Sequence, residues 1–91
     1  MEKTDVMVGA FTPFTTEISR EAEMVFNTAL KGFVGVDFTP LAVSTQVVAG
    51  VNYRFFCNAR DVYPNALNEA ALIEIFQPLN GIPTIREIKR C

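Results

Sequence analysis

The sequence feature that most constrains the fold is an apolar segment, Val47-Val48-Ala49, between two runs that alternate like β-strands. Before it, Leu41, Val43 and Thr45 fall on one face of a strand. After it, residues 51–59 alternate with a single break at Phe56. Gly50 lies between the runs and supplies the backbone freedom of a tight reversal. We predict a β-hairpin over residues 41–59; the alternative is one buried strand that continues through Gly50.

The composition of the predicted tip is unusual for a turn. Turns are usually built from Gly, Asn, Asp, Ser and Pro, whose side chains suit water or special backbone angles. A reversal made of Val47-Val48-Ala49 leaves apolar surface in solvent. Such surface indicates a tip that is buried against a partner.

One amphipathic helix of about four turns is predicted over residues 17–31. Thr15 or Thr16 offers an N-cap hydroxyl, and Lys31 followed by Gly32 is typical of a helix C-terminus. The apolar residues recur at helical spacing and form a broad stripe that requires a partner surface. They are Ile18, Ala22, Val25, Phe26, Ala29, Leu30 and Phe33.

The remaining segments predict an antiparallel sheet. Further strands are expected at residues 6–10, 34–46, 71–76 and 82–90. Pro40 marks a bulge, bend or edge position, residues 61–68 read as a loop, and Pro78-Leu79-Asn80-Gly81 reads as a turn. We therefore predict one α+β domain over residues 1–91, with an antiparallel sheet of four to five strands wrapped around one long helix.

Composition argues against several classes of function. The chain has no His, so it cannot form a Ser-His or Cys-His pair or a His-ligated zinc site. A net charge of −2 with scattered Lys and Arg provides no basic stripe for nucleic acid, and the apolar runs are too short for a membrane span. Carboxylate-pair catalysis stays formally open, but no second site feature converges on the acidic residues. We expect no enzymatic activity, no cofactor, no metal, and neither a nucleic-acid nor a membrane partner.

The two cysteines are predicted to stay unpaired. In the expected strand order, Cys57 and Cys91 lie on parallel strands with one strand between them, roughly 10 Å apart and beyond disulfide reach. Cys57 is predicted to be a small buried residue and Cys91 a terminal free thiol.

The segment Gln46-Val47-Val48-Ala49-Gly50 resembles the first binding loop of the cystatins, protein inhibitors of papain-like cysteine proteases. The resemblance extends over residues 42–53, to Phe76-Gln77 followed by Leu79, and to Gly9-Ala10, so that it covers nearly the whole chain. Two cysteines cannot supply the two-disulfide framework of secreted cystatins, and the chain is most similar to the disulfide-free stefin branch.

The resemblance implies a reversible, tight-binding inhibitor that blocks a protease cleft with an apolar wedge. Met7 and Val8 would fill nonprime subsites, Gly9 would let the backbone bend, residues 47–49 would occupy the middle and Leu79 the primed side. The implied protease-binding residues are Met7, Val8, Gly9, Gln46, Val47, Val48, Ala49, Gly50, Pro78 and Leu79. The alternative on the same fold is a non-inhibitory peptide- or ligand-binding module.

The second loop departs from the family pattern. Stefins carry Leu-Pro there and secreted cystatins Pro-Trp, whereas this chain has Pro78-Leu79-Asn80 and no Trp. Residues 1–5 lead into no long apolar stretch, which with the cysteine count favours a cytoplasmic monomer; a trimmed secreted chain is the alternative. Because β-branched residues prefer extended angles, straightening the 47–49 turn is expected to give a domain-swapped dimer under partially unfolding conditions.

Overall fold

The described part of the chain, residues 9–91 of a computed structural model, forms one helix and a four-stranded antiparallel sheet. The elements are helix α1 Arg20–Ala29 and strands β1 Val36–Val48, β2 Gly50–Asp61, β3 Asn68–Pro78 and β4 Thr84–Arg90. The strands follow one another in the sheet in chain order, as a meander. The predicted α+β class is confirmed, and so is the hairpin formed by β1 and β2.

The core lies between α1 and the two central strands. Alternate side chains of β2 and β3 point towards the helix and are buried, which confirms the period-two pattern of the sequence. Phe26 of α1 meets Phe55 of β2 edge to face, with ring centroids 4.9 Å apart. The buried apolar residues are Ala22, Val25, Phe26, Val43, Tyr53, Phe55, Cys57, Ala59, Ala71, Ile73 and Ile75.

The helix begins later than predicted. Ser19 is its N-cap, and the Ser19 hydroxyl accepts a hydrogen bond from the Ala22 N–H at 3.1 Å. Thr15 and Thr16 are therefore not the cap. The reason is tertiary: the Thr15 backbone exchanges two hydrogen bonds with Val43 of β1, which keeps the chain extended at that point.

The helix also ends earlier than predicted, so it has ten residues in place of about four turns. Leu30 is the C-cap, and its N–H donates to the Phe26 carbonyl at 3.1 Å. Lys31 lies beyond the last turn. Gly32 follows with a φ of +82°, a left-handed conformation that ends a helix and suits glycine.

The described start of the chain, from Gly9 onwards, runs beside β1. Of residues 6–10, only the last two are described, and neither is in a strand. The pairing lies further along the chain: the Thr12 N–H donates to the Thr45 carbonyl at 2.9 Å. The Ser44 hydroxyl donates to the Thr12 carbonyl, and Ser44 is buried beneath this segment.

Strand β1 passes through Pro40 with a register shift between Pro40 and Ala42, which agrees with the first of the predicted alternatives, a bulge, a bend or an edge position. The shift separates two residues expected to share a face: Val43 is buried, whereas Leu41 is 47% exposed. Both cysteines are free, Cys57 buried and Cys91 exposed, as predicted. Within residues 9–91, no helix is long and apolar enough to cross a membrane.

Candidate binding edge

The turn between β1 and β2 is tighter than predicted. Val48 pairs with Gly50, so Ala49 alone separates the two strands. Val47 and Val48 belong to β1, and the positive φ of the reversal, +117°, falls on Gly50. The prediction that β-branched residues fit the reversal poorly is therefore wrong, because Val47 and Val48 both have the extended backbone that such residues favour.

Apolar side chains at this turn and at the β3–β4 turn face solvent. Val47 is 71% exposed and Leu79 is 78% exposed. Val48 is 40% exposed, and Ala49 is also exposed. We call residues 46–50 together with 78–79 the binding edge. Exposed apolar surface grouped in this way is typical of an interaction site.

The two turns meet because Gly50 lies opposite Pro78 in the β2–β3 ladder. A β-carbon at Gly50 would lie 2.4 Å from the Gln77 carbonyl oxygen and 3.0 Å from the Pro78 Cα. No side chain fits at such distances, so the sequence needs glycine here for close approach as well as for φ. Gly50 is itself buried, and its pairing with Pro78 connects the two turns.

The N-terminal segment reaches the same edge at Gly9. The Gln46 side-chain amide donates to the Gly9 carbonyl, and the Asn52 side chain donates to Gln46 Oε1 at 2.8 Å. Met7 and Val8, also predicted to bind protease, lie outside the described residues. The structure thus brings Gly9 beside the first turn, between β1 and β2, and the meander brings this turn together with the second turn, between β3 and β4.

Two polar residues that support the edge were not identified from the sequence. Asn52 holds Gln46, as described above. Gln77 donates from Nε2 to the Pro78 carbonyl at 2.9 Å and to the Gly81 carbonyl at 3.1 Å, which ties the second turn together. The available signal was the position of each amide side chain at the end of a strand that enters or leaves an apolar turn.

A cavity of about 410 Å³ lies behind the edge, between α1 and the second turn. Met24 and Val25 line it from the helix, Leu79 and Pro83 from the turn side, and Glu21 adds a carboxylate. Met24 is 61% exposed, so apolar surface continues from the turns onto the helix. Glu21 also affects a core residue. The pKa of Tyr53 is raised mainly by the burial of Tyr53 and in addition by the negative charge of Glu21.

The binding edge carries no charge. Residues 46–50 and 77–83 contain no ionisable side chain. Among the described residues, the ion pair of Arg54 with Glu74, at 3.7 Å, belongs to the opposite face of the sheet from the core. Apolar contact and hydrogen bonds from neutral groups are therefore the interactions that the edge itself can offer.

Comparison of the chain with protein-family models, with curated proteins and with solved structures finds no significant match.

Proposed function

We propose that this chain is a reversible inhibitor of papain-like cysteine proteases, with a cystatin-like fold of the stefin type. One observation carries the proposal: Gly50 opposite Pro78 joins two exposed apolar turns into a single uncharged edge. The first of these turns has the residues that resemble the cystatin binding loop, and Gly9 is anchored next to it.

The proposed mechanism is steric occlusion of the active-site cleft. Val47, Val48 and Ala49 would enter the centre of the cleft, and Leu79 would lie on its primed side. The segment that leads to Gly9, including Met7 and Val8, would occupy the nonprime side. No peptide bond is presented for cleavage, so the inhibitor acts without being consumed.

Rigidity of the edge supports tight binding. Backbone pairing of Gly50 with Pro78 and the two hydrogen bonds from Gln77 fix both turns before any protease arrives. Preordered loops lose little conformational freedom on association, so a modest contact area is enough for strong binding. The proposal needs no catalytic group and no cofactor in the inhibitor.

A reducing, cytoplasmic location is part of the proposal. Cys57 and Cys91 are both free, as suits a compartment in which thiols stay reduced. Burial raises the pKa of the Cys57 thiol to about 12, which keeps it protonated and unreactive at neutral pH.

A peptide-binding module is the second candidate, and the outer edge of β1 favours it. Among the described residues, the backbone hydrogen bonds made to the outer edge of β1 involve Val43 and Thr45, both in its second half. The earlier part of β1 borders a cavity of about 470 Å³ lined in part by Phe33 and Phe38. An extended peptide could add to this edge as a further strand.

Titration of active-site-counted papain with the purified chain tests the proposal. Residual activity should fall linearly and reach zero at one chain per active site, and the inhibitor should be recovered uncleaved. Full papain activity at about tenfold molar excess would contradict inhibition and favour the peptide-binding module.

A further inference from the structure

We propose that Gln46 is a positioning residue that holds the N-terminal segment in place and does not itself contact the protease. This inference rests on the proposed inhibitory function and assigns Gln46 a different role from the direct contact that the family resemblance implies. The observations that carry it are the partners of the Gln46 amide and the backbone conformation of Gly9.

The partners fix which way the Gln46 amide points. A carbonyl oxygen can only accept, so the Gly9 carbonyl requires the Nε2 side of the amide. Oε1 is then left to accept from Asn52 Nδ2, which lies 2.8 Å away. We call these two hydrogen bonds, from Asn52 to Gln46 and from Gln46 to Gly9, the clamp. Asn52 pairs with Gln46 across the β1–β2 ladder, so the clamp is built on two strands of the sheet.

The clamp acts on a residue whose conformation sets the direction of the chain. Gly9 has a φ of +93°, which L side chains rarely adopt. A β-carbon on Gly9 would meet Gln46 Nε2 at 3.9 Å, an ordinary contact. Glycine is therefore needed for its backbone angle and not for space, and Gln46 holds the carbonyl that this angle orients.

The clamp also includes the last described hydrogen bond that holds the start of the chain to β1. The Thr12 N–H donates to the Thr45 carbonyl, and the Thr45 N–H donates to Thr12 Oγ1 at 3.0 Å. Gln46 comes next along β1 and reaches Gly9, three residues before Thr12. Gly9 is therefore fixed on the sheet, and fixing this point lowers the ordering cost of binding.

A double-mutant cycle in the full-length chain tests this role. Gln46→Leu removes the clamp, and the pair Met7→Ser with Val8→Ser removes the side chains through which the segment would bind. Losing one hydrogen bond that preorders a segment should speed dissociation from papain roughly 3- to 10-fold. In the Met7→Ser/Val8→Ser background, the same Gln46→Leu change should leave the dissociation rate unchanged.

Two results of the cycle would contradict the positioning role. An equal loss in both backgrounds would mean that Gln46 contacts the protease directly, and no loss in either would mean that it has no role. Asn52→Leu is the matched variant: it leaves the Gln46 amide in place without its second partner, and should give a smaller loss that also vanishes in the Met7→Ser/Val8→Ser background.

A measurement on the free protein separates this inference from the proposed function. In Gln46→Glu, the carboxylate cannot donate to the Gly9 carbonyl, but protonation near the usual glutamate pKa of about 4.3 restores a donor. The Ala10 amide resonance should therefore titrate with pH in Gln46→Glu and not in Gln46→Leu. A flat Ala10 profile in both would overturn the clamp, whereas failure of the parent to inhibit papain would overturn only the proposed function.

Discussion

A β-carbon on Gly50 would lie 2.4 Å from the carbonyl oxygen of Gln77. The backbones therefore approach closely here, and the pairing of Gly50 with Pro78 joins the two halves of the binding edge, because it brings the start of β2 against the end of β3. The same glycine has a φ of +117°. Two independent requirements, close backbone approach and a left-handed conformation, thus fall on one residue.

Substitution of that residue should disturb both turns. Gly50→Ala is expected to lower the free energy of unfolding by about 2–5 kcal/mol, because the methyl group meets backbone and the φ is strained. Urea denaturation measures the loss. Gly32→Ala is the matched control: its φ is +82° but no atom lies within 4 Å, so only about 1–2 kcal/mol of backbone strain should appear. Equal losses in the two variants would mean that the close approach to Gln77 is relieved without cost.

Truncation should separate binding from folding. Deleting residues 1–9 removes, among the described contacts, the hydrogen bond between Gly9 and Gln46. Its cost in the free energy of unfolding should stay within about 1 kcal/mol, while dissociation from papain becomes faster. Thermal denaturation with parallel dissociation kinetics tests both. Unfolding after this deletion would show that residues 1–9 include a core strand.

A longer deletion provides the contrast. Removing residues 1–15 also takes away the backbone pairing with Thr45 and Val43 and uncovers Ser44. It removes the ring of Phe11 as well, which lies 3.8 Å from the Arg54 guanidinium carbon. We expect a loss of roughly 3 kcal/mol or more, because several hydrogen bonds disappear and a buried hydroxyl loses its partner. Equal stability of the two truncated chains would contradict this role of residues 10–15.

The buried thiol predicts a pH dependence of stability. Burial raises the pKa of Cys57 to about 12, whereas an unfolded thiol titrates near 8.5–9. Between those values the unfolded chain releases a proton that the folded chain keeps, so the free energy of unfolding falls as pH rises. From pH 8 to pH 10 the contribution is about 1.5 kcal/mol. Denaturation of the parent and of Cys57→Ala at both pH values should show a smaller decrease for the variant; identical decreases would contradict the assignment.

The sheet followed from the sequence because its pattern is local. The alternation around Phe55 and Ile73 reports burial directly, since a period of two leaves one face for the core. Pro40 likewise indicated a bulge, bend or edge position through its missing N–H, and the structure has a register shift there. Both features depend on residues adjacent in the chain.

The features that the sequence did not predict depend on distant residues. The helix N-cap is Ser19 and not Thr15 or Thr16, because Val43, far along the chain, pairs with the Thr15 backbone. The clamp between Gln46 and Gly9 is also a contact across a large separation in sequence. No local pattern of residues encodes such pairings, because their partners lie about thirty residues or more apart in the chain.

The most direct test of the central claim compares two aspartate substitutions by their inhibition of papain. Val48→Asp places a charge on the binding edge, and Val34→Asp places the same charge just before the other end of β1, where Val34 is 84% exposed. An unpaired charge in an apolar cleft should weaken binding by several kcal/mol, roughly 100-fold or more. We predict that Val48→Asp loses inhibition by this factor while its fold and the affinity of Val34→Asp are preserved. Inhibition by Val48→Asp equal to that of the parent and of Val34→Asp would contradict the proposed binding edge.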